Sequence, residues 1–372
     1  LKWDDPVRKY IPEFEMSDPY ITNEFTVRDL LTHRSGLPLG AGDLLFVPDA
    51  APDTASIPAA LRTIPPETSF RPQFAYDHLL YIPGGEVSAR IEGRPWADII
   101  HTRIFEPLGM SSCKARPSEA AAAANTVTQH ARPPGGAAEP LHPRYIFADN
   151  SGPAGAMSCS ISDLGKWAMF WLNGAKTPSG KALLSPEQAR EVWTGVTPTR
   201  ARGDLARFAG ANFSLYALGW SLNDFHGELM VSHGGAVLGG VAYFAILPKK
   251  NIAVFVAAND YVPGLGSLAL QILAAYAAPD ADHDWIASAG AAYRQYRENS
   301  ARDSGAGGKP PKPAKLQRPL AAYVGVYDDP WYGEATVSIA DGALFLDMGR
   351  SEALDAPLIP VGPDKFLARW PD

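Results

Sequence analysis

Hydrophobic and polar positions predict helices over most of the chain and strands in two places. In residues 160–173 apolar side chains recur every three or four positions, which indicates an amphipathic helix, with Ser162 as a suitable N-cap. Thr26 and Asp29 have the spacing of a capping box, and Ser185-Pro186 suits the N-cap and N1 positions of another helix. Start and stop signals of this kind predict helices over 26–33, 77–92, 96–105, 160–173, 185–193, 266–277 and 285–297.

A glycine-rich stretch of β-branched and aromatic residues stands in the middle of the chain. It predicts one strand over residues 231–247 and a second over 252–258, joined by a polar turn at 248–251. Strand glycines such as Gly234 and Gly235 need a reason, and the usual one is close approach of a backbone or ligand. His233 stands directly before them. We therefore expect a substrate to lie along this strand, with backbone N–H groups directed at its carbonyl oxygen.

The remaining strand-like segments divide the chain. Shorter strands over 216–222 and 229–232 lead into the glycine-rich stretch. Gly, Ser and Pro dominate residues 299–319, which predicts a linker. Beyond it residues 320–366 alternate in hydropathy, and Asp341-Gly342 is a hairpin turn signal. We expect a main domain over 1–298, the linker over 299–319 and a small β domain over 320–372.

Composition narrows the function. The chain has 372 residues, 46% of them hydrophobic and 20% charged, so it can bury a sizeable core. A formal net charge of −7 and the lack of a Lys/Arg cluster argue against a nucleic-acid partner. No apolar run reaches the roughly 18 residues of a membrane span. The histidines are scattered and no phosphate loop is present, so we expect no metal or organic cofactor. Cys113 and Cys159 lack the spacing of a metal site; a disulfide between them is compatible with the sequence, but we favour two separate buried thiols.

Two residues, Tyr76 and His233, are candidates for chemistry. A lone Tyr76 is more often a core aromatic, and a lone His233 is more often a structural histidine. Their context changes that interpretation. Six motifs, in this order, resemble the serine β-lactamase-related family, which includes class C β-lactamases, D-alanyl-D-alanine carboxypeptidases and esterases: WDDPVRKYIPEF, TVRDLLTHRSGLP, FAYDHLLYIPGGEV, RIFEPLGM, GPAGAMSCSISDLGKW and SHGG followed by LP and VAAN. The resemblance covers about residues 1–278, and the segment after the linker resembles the small β domain often appended to family members.

The resemblance implies an α/β fold. An antiparallel sheet would be flanked by helices, with a helical subdomain over about residues 38–193, the active site between the two parts and a small all-β domain after them. The family's Tyr-x-Asn motif falls on Tyr76, Asp77 and His78. Its Lys-Thr-Gly or His-x-Gly motif falls on His233, Gly234 and Gly235.

These positions imply roles in catalysis. Tyr76 would be the general base. Because a free tyrosine has a pKa of about 10, it needs a neighbouring cation to act as a base at neutral pH. His233 would line the pocket opposite and bond the substrate. The backbone N–H of Ala236, next to Gly235, would be one half of an oxyanion hole.

The sequence departs from the family pattern at two points. His78 replaces the usual Asn, whose amide offers a donor and an acceptor in a different geometry. The family's Ser-x-x-Lys motif, which supplies the nucleophile, is matched only by residues 111–114, Ser111, Ser112, Cys113 and Lys114, in a region predicted to be a surface turn. We therefore assign no nucleophile in this chain. We expect a truncated reading frame, because the chain begins at Leu1 inside the segment that follows this motif in the family and stops within what resembles a longer β domain.

The resemblance implies a serine hydrolase that forms an acyl-enzyme on an ester or a D-amino-acid amide or peptide. His233 in place of a lysine removes a fixed positive charge that would hold a substrate carboxylate, which favours an esterase or D-amino-acid-peptide hydrolase over a β-lactamase. The alternative is a non-catalytic peptide- or peptidoglycan-binding relative that retains the pocket. A carbohydrate- or peptide-binding module of another class would leave the ordered motifs unexplained. The expected partner is a small-molecule or peptide substrate, and the expected location is periplasmic or secreted.

Overall fold

The computed structural model describes residues 1–47, 54–131, 137–141, 147–201, 203–261, 264–303 and 314–368. Its centre is a six-stranded antiparallel sheet. The strands are β3 (Thr197–Thr199), β4 (Ser214–Tyr216), β5 (Ser221–Phe225), β6 (Glu228–Val237), β7 (Gly240–Leu247) and β8 (Ile252–Ala258), and they lie side by side in that order. Each strand pairs with the next along the chain; the connection between β3 and β4 contains a helix, and the other connections are short. Two short strands, β1 (His130–Ala131) and β2 (Glu139–Pro140), form a separate pair.

Side chains alternate between the two faces of the central sheet along each strand, and helices pack against both faces. On β7, Phe244 and Ile246 join a cluster with Trp171 and Trp220 beneath the helical subdomain. The intervening Ala245 and Leu247 pack on the opposite face with residues of the two C-terminal helices, Leu273 and Trp285 among them. This three-layer arrangement confirms the predicted antiparallel sheet flanked by helices.

The α-helices of the described residues follow the chain in this order: α1 (Pro19–Glu24), α2 (Ile57–Ala60), α3 (Tyr81–Glu92), α4 (Trp96–Ile100), α5 (Glu106–Leu108), α6 (Pro117–Ala121), α7 (Ile161–Leu172), α8 (Pro186–Val192), α9 (Gly203–Phe208), α10 (Leu265–Ala277) and α11 (Trp285–Asp303). A π-helical segment, His101–Phe105, joins α4 to α5. Short 3₁₀ turns lie at Val7–Lys9, Asp29–Leu31, Asp43–Phe46, Thr54–Ser56, Leu61–Thr63, Asp149–Ala154, Pro248–Lys250, Leu320–Tyr323 and Glu352–Leu354.

Two predicted helices begin at other residues than expected, and a third begins where it was predicted. The helix predicted over 160–173 is α7, but Ser160, not Ser162, accepts the cap hydrogen bond, from the N–H of Asp163. The helix predicted over 77–92 begins only at Tyr81, so Pro83 lies in its first turn, where a missing N–H costs nothing. The predicted N-cap Ser185 and N1 Pro186 are confirmed at the start of α8, where Ser185 also forms a capping box with Gln188.

The helix predicted over 26–33 is only a 3₁₀ turn, Asp29–Leu31. Asp29 does accept the backbone N–H of Thr26, at 2.8 Å, as the capping-box spacing indicates. The same buried carboxylate also binds Arg34 and Arg71, and the chain reverses at His33 with a positive φ of 48°. The ion pair with Arg71, from a distant segment, therefore favours a short turn over the helix that the local pattern predicts.

The single strand predicted over 231–247 is wrong. The segment is a hairpin, β6 and β7, which reverses at Leu238 and Gly239 between the paired residues Val237 and Gly240. Gly239 has a φ of 69°, and a methyl group there would lie 2.8 Å from the backbone N of His130. Gly239 thus forms a tight turn that packs against the backbone at His130. The sequence pattern did not distinguish this role from that of Gly234 and Gly235.

The C-terminal segment forms a five-stranded antiparallel sheet, in agreement with the predicted small β domain. Its strands are β9 (Gly325–Asp329), β10 (Gly333–Ala340), β11 (Ala343–Asp347), β12 (Ala356–Gly362) and β13 (Lys365–Ala368). The turn predicted at Asp341-Gly342 joins β10 to β11, and both of its residues have a positive φ. Helix α11 extends to Asp303, so it occupies the start of the segment predicted as a linker, of which residues 304–313 lie outside the described residues.

Cys113 and Cys159 form a disulfide bond, so the prediction of two separate thiols is wrong. Lys114 and Ser158 exchange two backbone hydrogen bonds, of 2.8 and 3.0 Å, as an isolated antiparallel bridge. The residues that flank this bridge, Cys113 and Cys159, therefore face each other with their Cα atoms 4.2 Å apart. The sulfur atoms are brought together by a pairing across 46 residues of sequence, which cysteine spacing does not reveal.

Candidate active site

Tyr76 lies on an extended segment just before α3, and its neighbour Asp77 fixes that segment. The buried Asp77 carboxylate accepts the N–H of Leu80 at 3.0 Å and the hydroxyl of Ser35 at 3.2 Å. The backbone N–H of Asp77 donates to Nδ1 of His33 at 3.4 Å. Asp77 is thus a structural anchor that orients Tyr76 and His78 on either side of it.

His33 connects the Tyr76 segment to the central sheet. Its imidazole is 3% exposed and lies 4.1 Å, centroid to centroid, from the ring of Tyr76. The same imidazole lies 4.7 Å from the ring of Tyr216 on β4. Tyr216 in turn contacts His233 on β6, with its hydroxyl 2.9 Å from Nε2. Tyr76 and His233, predicted to face each other across a pocket, are therefore parts of one aromatic cluster, although no direct bond joins them.

The strand segment that carries His233 has one free flank in the described structure. β5 pairs with β6 only as far as Ser221 opposite Ser232, whereas β7 pairs with β6 as far as Val237. Gly234, Gly235 and Ala236 are exposed. Backbone N–H and C=O groups of this segment are therefore left unpaired by β5, and the approach of a substrate to them stays a prediction.

A chain of hydrogen bonds runs from His233 to the start of α3. Nδ1 of His233 contacts the carbonyl of Gly234 at 2.6 Å, and Nε2 contacts the Tyr216 hydroxyl. The Tyr216 hydroxyl lies 3.2 Å from the hydroxyl of Tyr81. The Tyr81 hydroxyl in turn donates to the carbonyl of Leu31. These four contacts need four protons, whereas two tyrosines and a neutral imidazole supply three. Burial lowers the pKa of His233, and the bond to Gly234 opposes this shift; in the neutral form of the ring one of the four contacts lacks a proton.

His78 has a partner that the sequence interpretation missed. Its Nδ1 lies 2.9 Å from Oδ2 and 3.1 Å from Oδ1 of Asp43, at the start of the Asp43–Phe46 turn. The bond to Asp43 raises the pKa of His78 above its ordinary value, and burial opposes it. The ring of His78 meets the ring of Tyr76 edge-on, with the centroids 5.1 Å apart. A group able to carry positive charge therefore stands beside Tyr76.

The electrostatic surroundings of Tyr76 do not by themselves make it a base. Burial raises the pKa of its hydroxyl above the ordinary value, and the carboxylates of Asp77 and Asp43 add to that effect. Deprotonation near neutral pH would need a cation closer than these carboxylates, as the sequence analysis anticipated.

The Ser-x-x-Lys match at 111–114 lies in a turn and not on a helix. The Ser112 hydroxyl donates to Asp163 at 2.6 Å, and the backbone N–H of Ser112 bonds the same carboxylate. Cys113 is in the disulfide and Lys114 in the backbone bridge. These residues fasten the turn to the start of α7.

Sequence reasoning also missed three further members of the cluster: His33, Tyr81 and Tyr216. His33 and Tyr81 lie inside motifs that carry the family resemblance, which was the signal that could have identified them. Tyr216 and Asp43 lie in no such motif, so only the fold brings them to the site.

An antiparallel sheet with helices on both faces, a helical subdomain and a polar aromatic cluster where the two meet define a β-lactamase/transpeptidase-like fold. The Beta-lactamase family model matches residues 1–277, and the chain belongs to that serine β-lactamase-related family. A second model, described as a domain of unknown function (DUF3471), matches residues 309–372.

Relatives and solved structures agree with this assignment. The chain is 27% identical over 389 residues to unguisins hydrolase ungD′ of Aspergillus campestris, and the match covers 99% of the chain and 70% of the relative. The octameric penicillin-binding protein homologue from Pyrococcus abyssi has the same fold, with a TM-score of 0.64 at 20% identity over 97% of this chain and 74% of that one. A D-stereospecific amidohydrolase from Streptomyces sp. gives 0.58 at 19% identity, over 76% and 80%.

None of the helices in the described residues combines the length and apolar character needed to cross a bilayer. No group of three or more His, Cys, Asp or Glu side chains among the described residues has the arrangement of a metal site.

Proposed function

We propose that this protein is a serine hydrolase that acts through an acyl-enzyme on an ester or a D-amino-acid amide. The observation that carries the proposal is the cluster in which His33 contacts both Tyr76 and Tyr216 while Tyr216 bonds His233. It joins the two family motifs of this chain at the free flank of β6. The relatives named hydrolase and amidohydrolase support the general class.

In the proposed reaction Tyr76 takes the proton of a serine nucleophile and later activates water. Backbone N–H groups of β6, that of Ala236 among them, stabilise the oxyanion. His233 bonds the substrate, and His78 beside Tyr76 contributes positive charge when Asp43 keeps it protonated. The nucleophile would come from a Ser-x-x-Lys element outside residues 1–372, since the match at 111–114 is committed to other contacts.

The proposed substrate class follows from the charges at the site. Asp43 and Asp77 are both close enough to Tyr76 to raise its pKa, and His233 is a neutral ring where a family lysine would be charged. Because His78 is paired with Asp43 and burial favours the uncharged form of His233, neither ring gives a substrate carboxylate an unpaired positive charge. Esters and amides without a free carboxylate near the scissile bond are therefore favoured over β-lactams.

We also propose that the protein is exported to the periplasm or the cell exterior. The Cys113–Cys159 disulfide supports this location, because disulfides persist mainly in oxidising compartments.

The test is hydrolysis of p-nitrophenyl acetate and of D- and L-phenylalanine amide by the product of the whole reading frame. We expect turnover, with kcat reduced about 10²- to 10⁴-fold by Tyr76→Phe, because that variant removes the base but keeps the ring. The matched control is Tyr276→Phe, whose ring is 64% exposed on α10 and which should leave kcat unchanged.

An unchanged kcat in Tyr76→Phe would contradict the role of Tyr76. Saturable binding of D-amino-acid peptides without any turnover would replace the proposal with the non-catalytic binding relative.

A further inference from the structure

A hairpin tip of the C-terminal sheet reaches the main domain. β9 and β10 pair as far as Asp329 opposite Gly333, which leaves Pro330, Trp331 and Tyr332 as the tip. Oδ1 of Asp329 accepts the backbone N–H groups of both Trp331 and Tyr332, each at 2.8 Å. The tip is therefore a fixed turn with its two aromatic side chains presented together.

Trp331 packs into the core of the main domain. Its side chain is 8% exposed and belongs to the hydrophobic cluster that contains Leu45, Leu79 and other residues of the N-terminal third. The indole lies directly against Gly42: a methyl group at Gly42 would be 2.9 Å from Cζ2 of Trp331 and 2.8 Å from Cδ2 of Leu79. The tip thus contacts the residue before Asp43 and shares a buried cluster with Leu79, the residue after His78.

Tyr332 approaches the same segment. It packs against the same cluster, and its pKa is raised by burial and, among nearby charges, by Asp329 and Asp43. Trp331 and Tyr332 carry no formal charge near neutral pH, so their effect on the Asp43–His78 pair is one of position.

The opposite side of the Asp43–Phe46 turn is also held. The backbone N–H of Ala148 donates to the carbonyl of Phe46 at 2.7 Å, and the amide of Asn150 donates to the carbonyl of Leu45 at 3.2 Å. The turn is therefore clamped between residues 148–150 of the main domain and the tip of the C-terminal sheet.

We infer that Trp331 and Tyr332 are positioning residues of the active site, which hold the Gly42–Asp43 segment so that Asp43 stays bonded to His78 beside Tyr76. The C-terminal sheet then completes the site and is more than an appended unit. The catalytic consequence rests on the proposed function, whereas the geometric claim about Asp43 and His78 does not.

The experiment is an NMR titration of histidine side chains in the whole chain, with the His78 resonance assigned by its loss in His78→Gln. Besides Tyr76, the titratable groups of the described residues that act on His78 are the carboxylates of Asp43 and Asp77. We expect Asp43→Asn to abolish the rise in the pKa of His78. Trp331→Ala should lower that pKa by about 0.5 or more, because a loosened Asp43 bonds the ring for less of the time.

Two further variants guard against a trivial result. Gly42→Ala disturbs the same contact from the main-domain side and should lower the pKa of His78 in the same direction. Val326→Ala, on β9 with a side chain 66% exposed, is the matched control and should leave it unchanged. Should Trp331→Ala fail to fold, Trp331→Phe shortens the contact while it keeps an aromatic side chain.

Combination with Asp43→Asn decides between positioning and general loosening. If the tip acts through Asp43, Trp331→Ala has no further effect on the pKa of His78 in the Asp43→Asn background. An unchanged pKa in both Trp331→Ala and Gly42→Ala, with the folded spectrum retained, would overturn the inference. Absence of hydrolysis in every form would contradict the proposed function alone, since the titration does not depend on turnover.

Discussion

The ring of His78 shows how one substitution at a family position changes the partners of a site. Where the family resemblance implies an amide, this chain has an imidazole that binds the Asp43 carboxylate at 2.9 Å. The bond raises the pKa of His78 and sets a cation-capable ring against Tyr76. In its proposed role as general base Tyr76 needs such a neighbour, because burial and two carboxylates raise its own pKa.

The Asp43–His78 pair predicts a pH-dependent stability. The pKa of His78 is raised in the folded state, so the pair stabilises the protein fully below the unfolded value of about 6.5 and loses that effect as the pH rises through the folded value. Asp43→Asn should therefore destabilise the protein more at pH 5.5 than at pH 9. Urea denaturation at the two pH values measures the difference.

The control for that comparison is Asp280→Asn, an exposed carboxylate far from the pair in sequence. It should change the free energy of unfolding little at either pH. An equal effect of Asp43→Asn at both pH values would show that the pair does not exchange a proton in this range.

At the scale of elements, glycines of one stretch have different roles. Gly234 and Gly235 lie on the free flank of β6, whereas Gly239 forms the β6–β7 turn. The sequence pattern did not separate them, because Leu238-Gly239 is a weaker turn signal than the Asp341-Gly342 pair that was predicted correctly.

The two turns provide a matched pair of substitutions. Gly239→Ala and Gly342→Ala both force a residue with a side chain into a positive φ, which costs about 1 kcal/mol each. Only at Gly239 would the methyl group also meet a backbone atom, 2.8 Å away; at Gly342 nothing lies within 4 Å. Gly239→Ala should therefore lower the free energy of unfolding by clearly more in chemical denaturation, and equal losses would contradict this packing.

The disulfide is the second element-scale feature that local patterns do not reveal. The double variant Cys113→Ala, Cys159→Ala should lower the free energy of unfolding by about 2–4 kcal/mol, because the unfolded chain loses a constraint across the intervening loop. Dithiothreitol should destabilise the wild-type protein similarly and leave the double variant unaffected. Two free thiols in the denatured, unreduced protein would contradict the bond.

At the scale of the molecule, the sequence predicted features that depend on local pattern or on family motifs. The antiparallel sheet flanked by helices and the C-terminal β sheet are of this kind. The catalytic roles of Tyr76 and His233 stay predictions, although both residues lie in one cluster. The partners that modulate the site were not predictable in this way. Asp43 comes from a loop 35 residues before His78, and Trp331 comes from the other side of the expected linker.

Such contacts depend on how separate parts of the chain pack, and neither hydropathy period nor residue spacing records that packing. The helix predicted at 26–33 failed for the same reason, since Asp29 is drawn to Arg71, 42 residues away. Errors of the sequence interpretation are thus concentrated where distant segments meet, and the candidate site is one of these places.

Mass spectrometry of the acyl-enzyme tests the central claim most directly. The product of the whole reading frame is mixed with a p-nitrophenyl ester and quenched at short times. We expect one acyl group per chain, on the serine of a Ser-x-x-Lys element outside residues 1–372, with acylation slowed in Tyr76→Phe. No adduct, or an adduct on Ser111 or Ser112, would contradict a serine hydrolase built around Tyr76 and His233.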